Sequence, residues 1–593
     1  MLITEKLGEK RMVKILSSLN LCLQLIILVL VTLISACSSD NASKLNTVSL
    51  NLQQNPVELN PVNDLLGKVI IERDVGIYTR DNTRLSAKIY RPNKKGKFPV
   101  IMSFTAYGKD FGPEDYPSVL DHNAKPDFDL GPIKVSKWTA WEAPDPAFWV
   151  LNDYIVMYVD SRGYFGSEGK PSILSDKDSL DFYDAIRWAG QQSWSNGNVG
   201  LNGVSYLAIS QWLAATSRPP NLKAIIPWEG QTDPYRETLY HGGIPETAFT
   251  NFWVQKINTG ASANVGPPPF LFKFVHKRPW LFKLIQDTSA LDLTMINIPV
   301  LIAASWSDHG LHSRGSFEAF KRISSIDKWL FTHGRPKWST YYSDEALAFQ
   351  KQFFDHYLKG KENKLNSKKP VRLEVRHSLT QYHVRFEESW PIPRTEYRRL
   401  FLDADNRILR PSPITKSGKV DYPAQTGSAI FSIVFDRDTE ISGNMKLKLW
   451  LSTDQGTDMD IFVAVKKSDV HGDDVPFYAK TGYNKGPVAL GWLRVSQREL
   501  DRKKSTPWQP ILTHENPQTL SENEIVAVEI EILPSSTLFK KGETLNLVIQ
   551  GHDIFSHPTL AHAYNENKGI HSIYTGKQYD SHLLIPVIPP DAM

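Results

Sequence analysis

Residues 199–208 read Val-Gly-Leu-Asn-Gly-Val-Ser-Tyr-Leu-Ala, and this stretch decides the fold class. It combines a short apolar run, a tight turn beginning at Gly203 and a helical pattern starting at Tyr206. A serine held in a turn between a strand and a helix is the arrangement of a nucleophile elbow, which exposes the hydroxyl above a sheet. Ser205 is therefore the candidate nucleophile. Leu207, however, stands where the G-x-S-x-G pattern has its second glycine, and by itself such a serine is more often a plain turn residue.

Short apolar runs alternate with helical patterns on both sides of this stretch. Such alternation predicts a mostly parallel sheet covered by helices on both faces, an α/β fold. The predicted strands are 100–104, 154–159, 199–202, 222–226, 300–304 and 329–332, and the predicted helices are 179–190, 206–216, 314–323 and 344–358.

Composition divides the rest of the chain. Residues 231–296, rich in proline and aromatic residues, predict a helical cap inserted between two parts of the α/β domain, 67–230 and 297–360. The charged linker 359–370 marks a domain boundary. Beyond it the apolar period becomes two, which predicts an antiparallel β-sandwich over 370–593.

The overall composition excludes several classes of protein. With 593 residues the chain is long enough for two to four domains. Apolar residues make up 41% and charged residues 22%, and the net charge is +4, which excludes a disordered chain and gives no basic stripe for nucleic acid. We find no glycine-rich phosphate loop and no H-E-x-x-H motif, so neither a cofactor nor a metal is predicted. Asp454, Asp458 and Asp460 resemble a calcium loop only superficially.

The N-terminus has the pattern of an export signal. Residues 25–34 form an apolar run that is too short to span a bilayer, with basic residues before it. The run ends in Leu-Ile-Ser-Ala-Cys37, which resembles a bacterial lipobox, and the alternative is a plain cleaved signal. We therefore expect a lipoprotein signal over 1–36, a lipid on Cys37, a polar tether over 37–66, and a location at the periplasmic face of the outer membrane or at the cell surface.

Two later features accompany Ser205. Asp308 follows a predicted strand, and His333 directly follows the next one. The order nucleophile, acid, base along the chain is the one that an α/β-hydrolase sheet imposes. Each residue also has a plainer interpretation, Asp308 as a helix cap and His333 as a loop residue.

At these residues the sequence resembles the cocaine esterase-like hydrolases, which are related to X-Pro dipeptidyl-peptidases and α-amino-acid ester hydrolases. The resemblance runs from about residue 73 to 590. Gly203–Ala208 matches the family's G-x-S-Y-x-G elbow except at Ala208, and residues 160–169 resemble its D-x-R-G-x-G-x-S-E-G loop with one extra residue. Arg162 in that loop is expected to be structural. The resemblance implies an α/β-hydrolase domain with an inserted cap and a C-terminal jelly-roll domain.

The resemblance also implies roles for individual residues. Ser205 would be the nucleophile, His333 the general base and Asp308 the residue that orients it. Tyr107, in the segment Phe104–Lys109, would donate its hydroxyl to the oxyanion together with the Tyr206 backbone N–H. Of these residues, the base is the least specific match, because the G-P-W part of the family's G-P-W-S-H segment is absent. His309 and His312, which lie just after Asp308, are competing candidates. We expect His333 to be the base.

The expected function is that of a serine hydrolase that cleaves small acyl or aminoacyl esters or amides through an acyl-enzyme. The enzymatic alternative is an X-Pro dipeptidyl-peptidase, and the non-enzymatic alternative is a surface-tethered binding lipoprotein that uses the jelly roll. The partner would be a small ester or a short peptide, and the membrane would be reached only through the lipid. Asp233 or Glu229 could hold a substrate ammonium or cap a helix. The candidate substrate-binding residues are Trp141, Tyr164, Trp228, Asp233 and Trp306.

Overall fold

The computed structural model describes residues 57–115, 126–262, 291–563 and 565–590. The predicted signal segment, Cys37 and most of the tether lie outside the described residues. Within the described ranges, no helix has the length and hydropathy needed to cross a membrane.

The strands of the N-terminal domain follow one another in the order that the sequence pattern predicts. Every predicted strand is present, with bounds that differ by a few residues. The strands are β1 (Val57–Asn60), β2 (Val69–Tyr78), β3 (Arg84–Pro92), β4 (Phe98–Thr105), β5 (Ile133–Ser136), β6 (Ile155–Asp160), β7 (Ser195–Val204), β8 (Leu222–Trp228), β9 (Tyr240–His241), β10 (Ile244–Pro245), β11 (Val300–Ser305), β12 (Lys328–His333), β13 (Val371–Arg376) and β14 (Tyr382–Glu387).

Most of these strands form one sheet in the order β2-β3-β6-β4-β7-β8-β11-β12-β13-β14. The strands from β6 to β13 in this order are parallel, and the antiparallel strands lie at the two edges. This is an α/β-hydrolase-type sheet, as predicted. Because all parallel strands end at the same edge, the residues that follow β4, β7, β8, β11 and β12 meet there.

Helices cover both faces of the sheet, and all four predicted helices are present. The longest begins after Ser343, whose hydroxyl accepts a hydrogen bond from the Ala346 N–H (3.3 Å), and ends at Gly360 in the left-handed conformation (φ 65°). The helices are α1 (Pro146–Leu151), α2 (Asp176–Gly190), α3 (Tyr206–Thr216), α4 (Phe249–Asn258), α5 (Ser313–Arg322), α6 (Lys337–Tyr341) and α7 (Asp344–Lys359).

The linker 359–370 does not separate the sheet from the second domain. Val371 of β13 pairs in parallel with Leu330 of β12, and β14 pairs with β13, so the N-terminal sheet continues past the boundary expected at 370. The linker has the charged composition of a surface loop because it crosses from the end of α7 to the last parallel strand.

The segment inserted between β8 and β11 is only partly described. It contains one turn of π-helix (Tyr235–Leu239), the β9–β10 hairpin, α4 and a 3-10 turn at Leu293–Met295. Its helix α4 supplies Phe249 and Trp253 to the cleft beside Ser205.

The C-terminal domain is mostly antiparallel β-structure. In β19 the residues Met445, Leu447, Leu449 and Leu451 alternate inward, which is the predicted period of two. The strands are β15 (Glu396–Asp403), β16 (Ile408–Arg410), β17 (Gly418–Pro423), β18 (Ser428–Val434), β19 (Thr439–Thr453), β20 (Asp460–Ser468), β21 (Phe477–Ala479), β22 (Tyr483–Gly486), β23 (Ala489–Arg494), β24 (Val526–Phe539), β25 (Thr544–Gln550), β26 (Ile570–Thr575) and β27 (His582–Ile588).

Arg162 fixes the loop that follows β6. Its guanidinium donates to the Asp181 carboxylate (2.6 and 2.5 Å) and to Asp81 (3.0 Å), and the side chain is buried. This paired and buried position agrees with the structural role expected from the sequence.

Candidate active site

Ser205 lies at the turn between β7 and α3, at the carboxyl edge of the sheet. Its backbone φ of 59° is in the left-handed region, which is strained for a residue other than glycine. The Ser205 N–H donates to the carbonyl oxygen of Trp228 at the end of β8 (3.0 Å), which holds the turn. Gly203 is required before it, because a Cβ there would lie 2.5 Å from Leu207 Cβ. The turn therefore has the geometry of a nucleophile elbow.

The side chains of Ser205, His312 and Asp308 form a chain of contacts. Ser205 Oγ lies 3.3 Å from His312 Nε2, and His312 Nδ1 lies 2.5 Å from Asp308 Oδ2. All three side chains are buried. With a hydroxyl at one nitrogen and a carboxylate at the other, the imidazole can take the hydroxyl proton while the carboxylate orients the ring.

One helical turn brings Asp308 and His312 together. The N–H groups of Leu311 and His312 both donate to the carbonyl oxygen of Asp308 (3.2 Å each), and α5 continues from Ser313. Residues four apart on a helical turn share one face. The carboxylate after β11 and the imidazole at the start of α5 therefore meet above the sheet edge.

His333 lies in a different place from the one we predicted. The register pairs it with Ser305, so it is still inside the sheet, and its ring stacks on Trp228 with centroids 5.8 Å apart. Its Nε2 lies 3.0 Å from Glu229 Oε1, although the two atoms lack hydrogen-bond geometry. The predicted contact of this imidazole with Ser205 is thus corrected, since His312 occupies that position.

His309, the other competing histidine, faces the C-terminal domain. Its Nε2 lies 3.1 Å from the carbonyl oxygen of Pro534, and its Nδ1 accepts from the Leu490 N–H (3.2 Å). Both ring nitrogens are therefore engaged away from Ser205.

A buried lysine, Lys337, lies beside the imidazole and the carboxylate. Its Nζ is 2.8 Å from Asp308 Oδ2, 3.0 Å from His312 Nδ1 and 4.0 Å from Glu229 Oε2. Because an ammonium only donates and Nδ1 has a single site, the hydrogen of Nδ1 belongs to the shorter contact with Asp308. Lys337 then donates to the same Asp308 oxygen, which keeps Nε2 as the acceptor for the Ser205 proton.

Asp308, His312, Glu229 and Lys337 form one buried cluster, and their contacts set the protonation state of each member. Burial and then the Lys337 charge lower the pKa of His312 to about 4, so the imidazole is neutral near pH 7. Burial would raise the pKa of Asp308, but Lys337 and His312 outweigh it and hold this pKa below its ordinary value. Burial raises the pKa of Glu229 to about 8, against the lowering effect of Lys337. The cluster therefore holds one carboxylate, one ammonium and two neutral groups.

Glu142 is a second buried carboxyl beside Ser205. Its Oε1 accepts from Trp338 Nε1 (2.9 Å), whereas its Oε2 is buried without a hydrogen-bond partner. Burial raises its pKa to about 8, so it too is mostly neutral near pH 7.

The two predicted oxyanion donors lie next to Ser205. Tyr107 lines the cleft, and its hydroxyl oxygen accepts from Trp253 Nε1 of α4 (3.0 Å), which orients the phenol. Tyr206 is the first residue of α3, so its N–H has no acceptor within the helix and lies at the positive end of the helix dipole. Both positions suit the stabilisation of negative charge at the reacting carbonyl.

The cleft beside Ser205 has a mostly aromatic wall. Trp141 belongs to it, as predicted, with its ring centroid 5.0 Å from that of Trp338. Thr481, Gly482 and Thr559 show that the C-terminal domain forms part of the same cleft. The apolar wall consists of Leu130, Trp141, Phe249, Phe252, Trp253, Leu311 and Trp338.

Three predicted pocket residues are core residues. Tyr164 and Trp228 are fully buried in the hydrophobic cluster under the cleft. Trp306 belongs to the core on the other face of the sheet, where its Nε1 donates to the Glu374 carbonyl oxygen (3.0 Å). The sequence shows that these residues are aromatic but not which way each strand or loop turns them.

Asp233 is a capping residue. It accepts from the Arg236 N–H (3.2 Å) and pairs with the Arg236 guanidinium (2.7 Å) at the start of the π-turn. Glu229 is buried against His333. Neither carboxyl group lines the cleft with Ser205 in the described residues.

One group of side chains has the donor types of a metal site. Donor atoms of Glu229, Asp308 and His312 lie within 4.8 Å of one another. The Lys337 ammonium contacts two of these residues within 3.0 Å and already supplies a positive charge there. Because the lysine ammonium supplies the positive charge that these donor atoms can pair with, we assign no metal to them.

Two groups of functional relevance were not predicted, and His312 was considered but ranked below His333. Lys337 and Glu142 carry no motif, and only their burial and contacts reveal them. The pairing of Asp308 with His312 had a signal in the sequence, because the two residues are four apart at the start of a helix.

Comparisons with known proteins agree with this architecture. Residues 81–269 match the family model of X-Pro dipeptidyl-peptidases (S15 family), and residues 363–584 match that of the X-Pro dipeptidyl-peptidase C-terminal non-catalytic domain. A cocaine esterase from Rhodococcus sp. is 24% identical over 88% of this chain and 99% of its own length.

Solved structures give a nearer relative. The crystal structure of a CocE/NonD family hydrolase from Staphylococcus aureus is 44% identical, with a TM-score of 0.83 over 88% of this chain and 94% of that one. An α-amino-acid ester hydrolase has a TM-score of 0.65 at 18% identity over 92% of this chain and all of its own, which shows a shared fold.

Proposed function

Because the chain belongs to the CocE/NonD family of hydrolases, we propose that it is a serine hydrolase that cleaves small carboxylic esters through an acyl-enzyme. The observation that carries the proposal is the buried chain of contacts from Ser205 Oγ through His312 to Asp308. A merely structural serine would need neither the strained backbone nor a neutral imidazole at its hydroxyl.

The geometry supports a two-step reaction. Ser205 Oγ attacks the acyl carbon while His312 Nε2 takes its proton, and the oxyanion is held by the Tyr107 hydroxyl and the Tyr206 N–H. The imidazolium then gives the proton to the departing alkoxide, which leaves Ser205 acylated. Water attacks in the same way, and the acid is released with Ser205 restored.

The assignment of the base to His312 replaces our expectation for His333. Its support is the 3.3 Å contact with Ser205 Oγ and the carboxylate at its other nitrogen. His333, with Glu229 as its neighbour, instead supports the packing below the cleft.

The X-Pro dipeptidyl-peptidase alternative is favoured by both family models that match the chain. Such an enzyme needs an anionic anchor for a substrate ammonium. Glu142, the carboxyl that lines the cleft, has a pKa raised to about 8, and the ionised Asp233 is engaged by Arg236. Among the described residues that line the cleft, no carboxyl is mostly ionised near pH 7 in the absence of substrate, and on this ground the ester is our first proposal.

The substrate class is tested by comparing kcat/KM for p-nitrophenyl butyrate and for Ala-Pro-p-nitroanilide, with Ser205→Ala as the blank. We expect turnover of the ester to exceed that of the anilide by at least 100-fold. The opposite ranking would favour the dipeptidase, and turnover of neither by a folded protein would favour the non-enzymatic binding lipoprotein.

We also propose that the C-terminal domain is a jelly roll and that the protein is an exported lipoprotein anchored through Cys37. The first proposal is supported by the antiparallel strands and their inward alternation. The second rests on the sequence pattern that ends at Cys37.

A further inference from the structure

Lys337 is the one side chain of the cluster that touches both partners of the imidazole–carboxylate pair and carries a positive charge. It is the first residue of α6, and it lines the cleft with Ser205. Its Nζ contacts Asp308 Oδ2 at 2.8 Å and lies 3.0 Å from His312 Nδ1. Proton transfer from Ser205 needs neither contact, so this position of a buried charge requires a reason.

Coulomb's law gives that reason. A positive charge 3.0 Å from an imidazole opposes the addition of a proton to the ring, and the opposition is strong where water is excluded. The same charge favours the ionised form of Asp308, which keeps the hydrogen of His312 Nδ1 directed at Oδ2 and leaves Nε2 as an acceptor.

We propose that Lys337 is a positioning residue that keeps His312 neutral and correctly oriented, so that Ser205 can still be activated in acidic solution. The inference rests on the proposed function, since it concerns the same serine and the same base.

The other charged groups around the imidazole do not offset this effect. Lys480 of the C-terminal domain acts on His312 in the same direction as Lys337. Glu229 lies within 4.8 Å of the pair, but burial keeps its carboxyl mostly neutral near pH 7. The Asp308 carboxylate favours protonation of His312, but its Oδ2 also pairs with the Lys337 ammonium. Among the charged groups, Lys337 is thus the one that most strongly opposes protonation of His312.

The charge of Lys337 is itself supported by its surroundings. Burial would lower its pKa, but Asp308, Glu229 and Glu142 together raise the pKa above the ordinary value for lysine. The ammonium therefore stays charged throughout the pH range in which His312 titrates.

The test is the pH dependence, from pH 4 to 9, of the rate at which a fluorophosphonate labels Ser205 and of kcat/KM for p-nitrophenyl butyrate. In the native protein both rates should stay at their plateau down to about pH 5, because the pKa of His312 is lowered to about 4. An acid limb near the ordinary imidazole value of about 6.5 in the native protein would overturn the inference without any variant.

Three variants separate charge from structure. Lys337→Met removes the charge and should move the acid limb upward by at least one pH unit, so that at pH 5 the rate falls to about half of its own plateau or less. Lys337→Arg keeps the charge and should keep the limb at low pH. Lys351→Met removes a lysine of α7 that pairs with Asp355 (2.6 Å), and it should leave the profile unchanged.

If Lys337 had a purely structural role, Lys337→Met would lower the plateau rate without moving the acid limb of the pH–rate profile. The inference is overturned if folded Lys337→Met has the native limb, or if Lys337→Arg shifts as far as Lys337→Met. If the native protein is not labelled at Ser205 at any pH, the proposed function itself fails, which distinguishes the two cases.

Discussion

Replacement of either histidine by glutamine distinguishes the two candidate bases. Glutamine keeps much of the imidazole's volume but cannot take up a proton. His312 Nε2 lies 3.3 Å from Ser205 Oγ, so His312→Gln removes the acceptor of the hydroxyl proton. The neighbouring Lys337 cannot replace it, because an ammonium has no lone pair to offer.

We expect His312→Gln to lower kcat/KM by a factor on the order of 10⁴ or more, which corresponds to a barrier increase of about 5 kcal/mol. His333 is buried and stacked on Trp228, so its loss acts through packing. His333→Ala should lower the free energy of unfolding by about 2–4 kcal/mol while kcat/KM falls by less than tenfold in the folded fraction.

The assay is kcat/KM for p-nitrophenyl butyrate at pH 8, together with thermal unfolding of each variant followed by circular dichroism. His333→Gln is the matched control for His312→Gln. If the variant at 333 lost 10⁴-fold activity while folded and the variant at 312 stayed within tenfold of the native rate, the assignment of the base would be wrong.

Three further changes test other parts of the account. Tyr107→Phe removes only a hydroxyl and should lower kcat by about 100- to 1,000-fold with little change in thermal stability, whereas an unchanged kcat would exclude Tyr107 as an oxyanion donor. Arg162→Met leaves the buried Asp181 carboxylate without its bidentate partner and should cost about 3–5 kcal/mol of unfolding free energy, read as a lower denaturation midpoint; native stability would contradict the structural role. Cys37→Ser should abolish incorporation of radiolabelled palmitate and release the protein from the membrane fraction, and continued incorporation would refute the anchor.

Much of the fold could be predicted because the period of the apolar residues encodes it. The runs that became β4 and β11 are mostly apolar and buried on both faces, as parallel strands inside a sheet are, and the serine turn lies between β7 and α3. The pairing of β13 with β12 could not be predicted, because a charged loop that leads into a strand of the same sheet has the same composition as an interdomain linker.

The base shows where sequence reasoning stops. Both His312 and His333 follow or end a strand of the sheet, and strand order alone does not say which ring reaches Ser205. The deciding features are the helical turn that begins at Asp308 and the register that keeps His333 level with Ser305. The register depends on hydrogen bonds between strands that no local pattern reports, whereas the turn is local and its signal is the four-residue spacing of Asp308 and His312.

The aromatic candidates show the same limit. Trp141 lines the cleft, whereas Trp306 is packed on the opposite face of the sheet, although both follow or precede turns rich in polar residues. The direction of a side chain from a loop is set by the neighbours it packs against. Lys337 was missed for a related reason, since a single lysine in a sequence is normally a solvated residue.

The most direct test of the central claim is covalent labelling of the native protein by a fluorophosphonate, followed by peptide mapping. The account predicts one adduct, on the hydroxyl of Ser205, that is lost in Ser205→Ala and kept in Ser210→Ala, a change of a buried serine in α3, the helix that follows Ser205. An adduct on a different residue, or undiminished labelling of folded Ser205→Ala, would contradict it.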